Sequence, residues 1–180
     1  MNKKKLVPFL CLLVAGCAVR HLPGGGTAPA TNFEQVLAWN AAAAEANDGF
    51  ASNVIALQQG GMMGIPEAKT ILIEQAAIAS ADKRITERIS AAATCAARQA
   101  GTSATAAQLN AAAVVCARIS GKGLAADINL ILGAIADLTT TGLVPVKDQV
   151  KRQALVELLG TIQVLVQKIY NSLETQGVIQ

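Results

Sequence analysis

The side chains that could do chemistry are few. The 180 residues hold one histidine, His21, which lies before the first helical pattern. A Ser-His-Asp or Cys-His arrangement therefore has no histidine in the part of the chain that folds. Four cysteines stand at 11, 17, 95 and 116. They form no Cys-x-x-Cys pair and no Cys/His set with zinc spacing, so neither a metal nor a dithiol redox site is expected. No Gly-x-Ser-x-Gly elbow, phosphate-binding loop or dinucleotide fingerprint occurs. Carboxylate pairs can serve as acid and base, but Asp82 and Glu87 diverge on a helix, and Asp127 and Asp137 lie near opposite ends of another. An enzyme is not expected, and no cofactor is implied.

Chemistry done to the chain is better supported. Lys3, Lys4 and Lys5 precede an apolar run from Leu6 to Ala15, which ends in Val14-Ala15-Gly16-Cys17. As a helix this run rises about 15 Å, half of a bilayer core. A basic start, a short apolar run and a small-residue end make a secretory signal. Its last four residues resemble the lipobox of bacterial lipoproteins. The resemblance covers residues 1–17 and implies cleavage between Gly16 and Cys17, a diacylglycerol on the Cys17 thiol and an acyl chain such as palmitate on the new amino group. It implies membrane attachment in the cell envelope. Ala18 after the cysteine favours an outer membrane facing the periplasm over the inner membrane.

Two consequences follow from that resemblance. Losing Lys3, Lys4 and Lys5 turns the formal charge of +3 into twelve basic against twelve acidic residues, leaving no global attraction for nucleic acid. Cys95 and Cys116 are then the cysteines of the mature fold, and in an oxidising compartment they are candidates for a disulfide. The alternative is two small buried apolar side chains.

The elements that carry these residues read as helices throughout. Residues 1–16 form the signal, 17–32 a lipidated Cys and a Gly/Pro-rich tether, and 33–180 an all-α bundle of about five helices with antiparallel neighbours. A first helix from about Phe33 shows apolar recurrence at Phe33, Val36, Leu37, Ala41, Ala44, Ala51, Val54 and Ile55, with Asp48-Gly49 as a weak point. The Gly60–Gly64 stretch ends it. A long second helix opens at Pro66 and runs to about Ala100. Its seam, Ile71, Gln75, Ile78, Asp82, Ile85, Ile89, Ala92 and Ala96, alternates steps of four and three. Gln75 and Asp82 are the polar exceptions. They line a polar pocket, fix register, or lie at the edge of a wide seam, the last being the simpler reading.

Thr105 and Gln108 predict a capping box for a short third helix to Ile119, with Leu109, Ala112, Ala113, Cys116 and Ile119 on its apolar face. Gly121-Lys122-Gly123 reads as a break. A fourth helix, about Leu124 to Thr139, is the most buried candidate, its face widened by Leu130 and Leu132. It is too interrupted by Asp127, Asn129 and Asp137 for a membrane span. Pro145 opens a fifth, with Leu155, Leu158, Ile162, Leu165, Ile169 and Leu173 as its stripe.

Anchor, tether and bundle together suggest a non-enzymatic envelope lipoprotein that binds other proteins or scaffolds them, and self-association is open to it. Two other readings fit the same features. One is a carrier holding a lipid or other apolar ligand between helices, with Gln75 and Asp82 as polar contacts. The other is a phage- or plasmid-type exclusion lipoprotein.

Overall fold

The computed structural model describes residues 19–21, 27–29, 32–101 and 103–180. Gly16 and Cys17 lie outside these residues. The chain divides into two compact units, Met1–Ala30 and Thr31–Gln180. Within the first, strand β1 (Val19–His21) pairs antiparallel with β2 (Thr27–Pro29), Arg20 opposite Ala28. The sequence reading gave this segment no regular structure. A three-residue ladder is too short to show as apolar alternation, so it left no period to detect.

The second unit is the all-α bundle: α1 (Asn32–Gln59), α2 (Ile65–Ala100), α3 (Ala106–Arg118), α4 (Gly121–Asp137) and α5 (Gln149–Thr175). α1 packs on α2 and α5, α2 on α3 and α4, and α4 on α5. Contacts fix the directions. Asn40 of α1 reaches Asp82 and Thr86, while Asn47 reaches Gln75, so α1 and α2 are antiparallel. Cys95 meets Cys116, and Arg84 and Arg88 meet Asp127, so α3 and α4 together run back along α2. Arg118 donates to the Gly177 carbonyl at 2.9 Å, which sets α5 antiparallel to α4. The result is an up-down bundle whose third stroke is broken into α3 and α4.

Local chemistry explains most boundaries. α1 ends in a Schellman motif: Met62 N–H bonds the Leu57 carbonyl, Gly61 N–H bonds that of Gln58, and Gly61 supplies φ +70°. The same motif closes α5, with Gly177 at φ +66° and Val178 bonded to Leu173. It turns Val178 and Ile179 into the core. Gly121 lies directly under the Val178 carbonyl, where a Cβ would collide with it. Thr105 and Gln108 form the expected capping box. Asp148 caps α5 by accepting from Lys151 N–H. The helix thus begins at Gln149 rather than at Pro145.

Other boundaries and faces differ from expectation. Gly49 does not interrupt α1, which stays continuous because both its flanks pack. Gly121 and Gly123 begin α4 rather than break the chain, since the tight approaches of Val178 and Arg88 need the missing Cβ atoms. α4 runs on into a π-helical turn, Leu138–Gly142, with Leu143 N–H bonded to the Leu138 carbonyl. Thr139, Thr140 and Thr141 each bond back to the carbonyl four residues earlier. These hydroxyls compete with backbone donors and open the turn. Ile119 is 88 % exposed, because the chain bends at Ser120 and carries it off the α3 face. Leu130 also points outward, so the buried face of α4 is narrower than expected. The Gly121–Gly142 stretch is long and apolar enough to cross a membrane by length and composition. Its Leu124, Ile128, Ile131 and Ile135 are nevertheless core residues of the bundle.

Candidate functional site

The heptad register of the helices decides which side chains meet. In α1 the buried residues are Phe33, Val36, Asn40, Ala43, Asn47, Phe50, Val54 and Leu57, an unbroken alternation of three and four. In α2 the buried stripe holds Ala68, Ile71, Ile78, Ala81, Asp82, Ile85, Ile89, Ala92 and Ala96. Gln75, half-buried, occupies the remaining step between Ile71 and Ile78. Asn40 and Asn47 stand one heptad apart on α1; Asp82 and Gln75 stand one heptad apart on α2. Antiparallel packing brings these two polar pairs opposite each other.

Each asparagine is oriented by α2. Asn40 Nδ2 donates to the Asp82 backbone carbonyl at 2.9 Å and to Thr86 Oγ1 at 2.8 Å. Asn47 Nδ2 donates to the Gln75 carbonyl at 3.4 Å. Asn40 has both amide hydrogens engaged and leaves only its oxygen to offer, whereas Asn47 uses one of its two. Asn40 Oδ1, Asn47 Oδ1 and both Asp82 carboxyl oxygens are buried with no hydrogen-bond partner among the described residues. The residues Asn40, Asn47 and Asp82 line a pocket of about 160 Å³ with Asp48, Lys83 and Thr86. Ala41, Ala44 and Ala79 form the rest of the wall.

Asp82 is 3 % exposed, so it does not lie at the edge of a wide seam. α1 lays Asn40 and Asn47 across it, which the sequence alone did not place there. Burial pushes its carboxyl up from 3.8 to about 7, with the nearby charge of Asp48 adding to the shift. Leaning toward its own N-terminus, as helical side chains do, the carboxyl comes under the field of Asp48 on α1. The site is therefore rich in acceptors and short of donors. It holds a proton, or a positively charged group, better than it holds a bare carboxylate.

A second polar contact crosses from α2 to α4. Asp127, 6 % exposed, accepts from Arg84 Nε at 2.7 Å and from Arg88 Nε at 3.2 Å. The sequence reading placed Asp127 only near one end of the fourth helix, as an interruption of its apolar run. Arg84 and Arg88, an i,i+4 pair on α2, carried the signal that would have found it. This clamp is fully paired and binds α4 to α2; it offers nothing to a ligand.

Cys95 and Cys116 are joined in a disulfide between α2 and α3, with Cα atoms 6.1 Å apart. Trp39, Leu158 and Leu165 are half-buried against the core, while Leu159 and Val166 take the fully buried positions of α5. Lys83 and Glu87 form the expected i,i+4 pair, exposed and 3.9 Å apart.

Two larger depressions are surface grooves. One of about 490 Å³ is lined by Ile65, Ala68, Leu72 and Ile73 of α2, with Gln58 of α1. Another, of about 860 Å³, lies beside Arg118, Lys122 and the C-terminal residues. The α1–α2 pocket is well below the 300–1,000 Å³ usual for ligand cavities, too small and too polar for a lipid tail. No family model matches the chain, and no curated protein or solved structure is significantly similar to it.

Proposed function

We propose that the chain is a lipid-anchored envelope protein that works by binding another protein. The anchor part of this reading rests on Val14-Ala15-Gly16-Cys17 after a basic, apolar leader. The Cys95–Cys116 disulfide favours the same compartment, because such bonds persist outside the reducing cytosol.

The observation that carries the binding reading is where exposed apolar side chains collect. The chain enters the bundle at Asn32, at the end where α2 finishes and α5 finishes. Ile55, Met62, Ile65, Ile73, Val144 and Val150 are exposed at or near the opposite end, while Val115, Ile119, Leu130 and Val164 are exposed elsewhere on the bundle. Ile65 is 70 % exposed and Val150 77 %. Large apolar side chains clustered in water mark an interaction surface. The groove along Ile65, Leu72 and Ile73 suits the apolar stripe of a partner helix. An N-terminal anchor and an exposed apolar groove describe a tethered adaptor.

Photo-crosslinking in cells tests this. A crosslinker at Ile65, Ile73 or Val150 should capture one defined partner, and Ile65→Lys with Ile73→Lys should abolish the capture without lowering the melting temperature. Capture only from positions on α3 or on the outer face of α5 would overturn the assignment of the surface. The anchor is read separately: Cys17→Ser should release the protein from the membrane fraction and stop its labelling with palmitate.

A further inference from the structure

We infer that the polar pocket between α1 and α2 is a binding site for a small hard cation, held by the Asp82 carboxylate with Asp48 and the carboxamide oxygens of Asn40 and Asn47. The inference does not depend on the adaptor reading.

The donor set is the first reason. The four unpartnered atoms are all oxygens, two from a carboxylate and two from amides, the ligand chemistry of calcium, magnesium and sodium rather than of softer metals. Asp48 adds a second carboxylate at the mouth. Histidine and cysteine ligands are absent from the pocket lining, so zinc and copper are poor fits.

Orientation is the second reason. Both asparagines donate from Nδ2 to α2 carbonyls, and their oxygens are buried with no hydrogen-bond donor among the described residues. An Asn serving only to pair the helices could sit in either flip; here the α2 carbonyls select one. Asp82 is almost wholly buried with neither oxygen satisfied. Leaving such a group uncompensated is costly, and a bound cation is the natural remedy.

Size is the third. About 160 Å³ accommodates an ion with a few of its waters, each occupying about 30 Å³. The alanine walls leave space that larger side chains would fill. The charged groups facing Asp82 are Asp48 from α1 and Lys83 from α2 itself. Lys83 is turned to Glu87 at 3.9 Å, and Arg84 and Arg88 are committed to Asp127 of α4. No cation of the protein therefore neutralises the carboxylate among the described residues.

The test is thermal unfolding of the purified full chain at constant ionic strength in choline chloride, with calcium, magnesium or sodium substituted for choline. At pH 8 at least one of these ions should raise the melting temperature in a saturable way. Asp82→Asn should remove the response. Asp48→Asn, at an exposed position, should fold normally and raise the midpoint at least fivefold, which keeps the test decisive should the Asp82 variant not fold. Equal melting temperatures in all four salts, or the same rise in Asp82→Asn as in the parent, would overturn the site.

Discussion

Asp82 is the residue at which the chain departs furthest from the expectations of a helical bundle. A carboxyl on a core seam normally finds an arginine, as Asp127 does with Arg84 and Arg88. Asp82 instead faces two amides and another carboxylate. Its folded-state value of about 7 lies above the ordinary 3.8, so the folded chain binds the extra proton. The sign follows: the contribution of Asp82 is fully present below about pH 4, is lost as pH rises toward 7, and is constant above that. Asp82→Asn removes this dependence. In choline buffers the variant should be more stable than the parent at pH 8 by about 4 kcal/mol and close to it near pH 4. Urea titration at the two pH values measures the difference. A variant less stable than the parent at pH 8 would mean that Asp82 is satisfied in solution by a partner beyond those seen here.

At the scale of elements, the helices divide by how firmly they are joined. α2, α3 and α4 are held by a covalent bond and by a two-arginine clamp. The disulfide spans 21 residues of sequence, which on loop-closure entropy is worth about 3 kcal/mol. Cys95→Ala with Cys116→Ala should cost that much in chemical denaturation and leave the helix content by circular dichroism unchanged. α1 packs extensively on α5 and α2 but shares neither of these cross-links. Its seam holds two asparagines and an alanine where Leu or Ile would each add roughly 2 kcal/mol. What these positions supply instead is register, since sliding α1 by one heptad would break the match of Asn40 with Asp82 and Asn47 with Gln75. The seam of α2 was legible in the sequence because isoleucines mark it every three or four residues. That of α1 was not, because Asn40 and Asn47 interrupt the apolar pattern while the many alanines fill every face. Leu37, Ala41, Ala44, Ala51 and Ile55 therefore gave a stripe that drifts off the buried one. α5 erred by a single position at Leu158 and Leu165, where adjacent apolar residues make either choice fit.

Among the described residues, the bundle was legible in class and count: all-α, five helices, antiparallel. The capping box at Thr105 and the glycines after Gln59 are short-range signals, and such signals survive without tertiary context. The polar pocket was half legible. Gln75 and Asp82 stood out against isoleucines, but their meaning depends on which face of α1 lies opposite, a long-range fact. Hydrogen exchange should show the same hierarchy across the bundle. Amides of α1, which carries neither the disulfide nor the arginine clamp, should exchange faster than those of α2 and α4. Uniform protection across all three would contradict the division drawn from their contacts.

The up-down order also sets a direction for mechanical load. If the N-terminus is held at a membrane and the far end is held by a partner, tension reaches the bundle through Asn32, at the start of α1. The disulfide joins α2 to α3 and lies off that route, so it bears none of the initial pull. Force then peels α1 from its first turn, beginning at Phe33 and Val36 and reaching the Asn40 contacts next. A cation seated at Asp82 would lie across that advancing front, and its occupancy would set the tension at which α1 lets go.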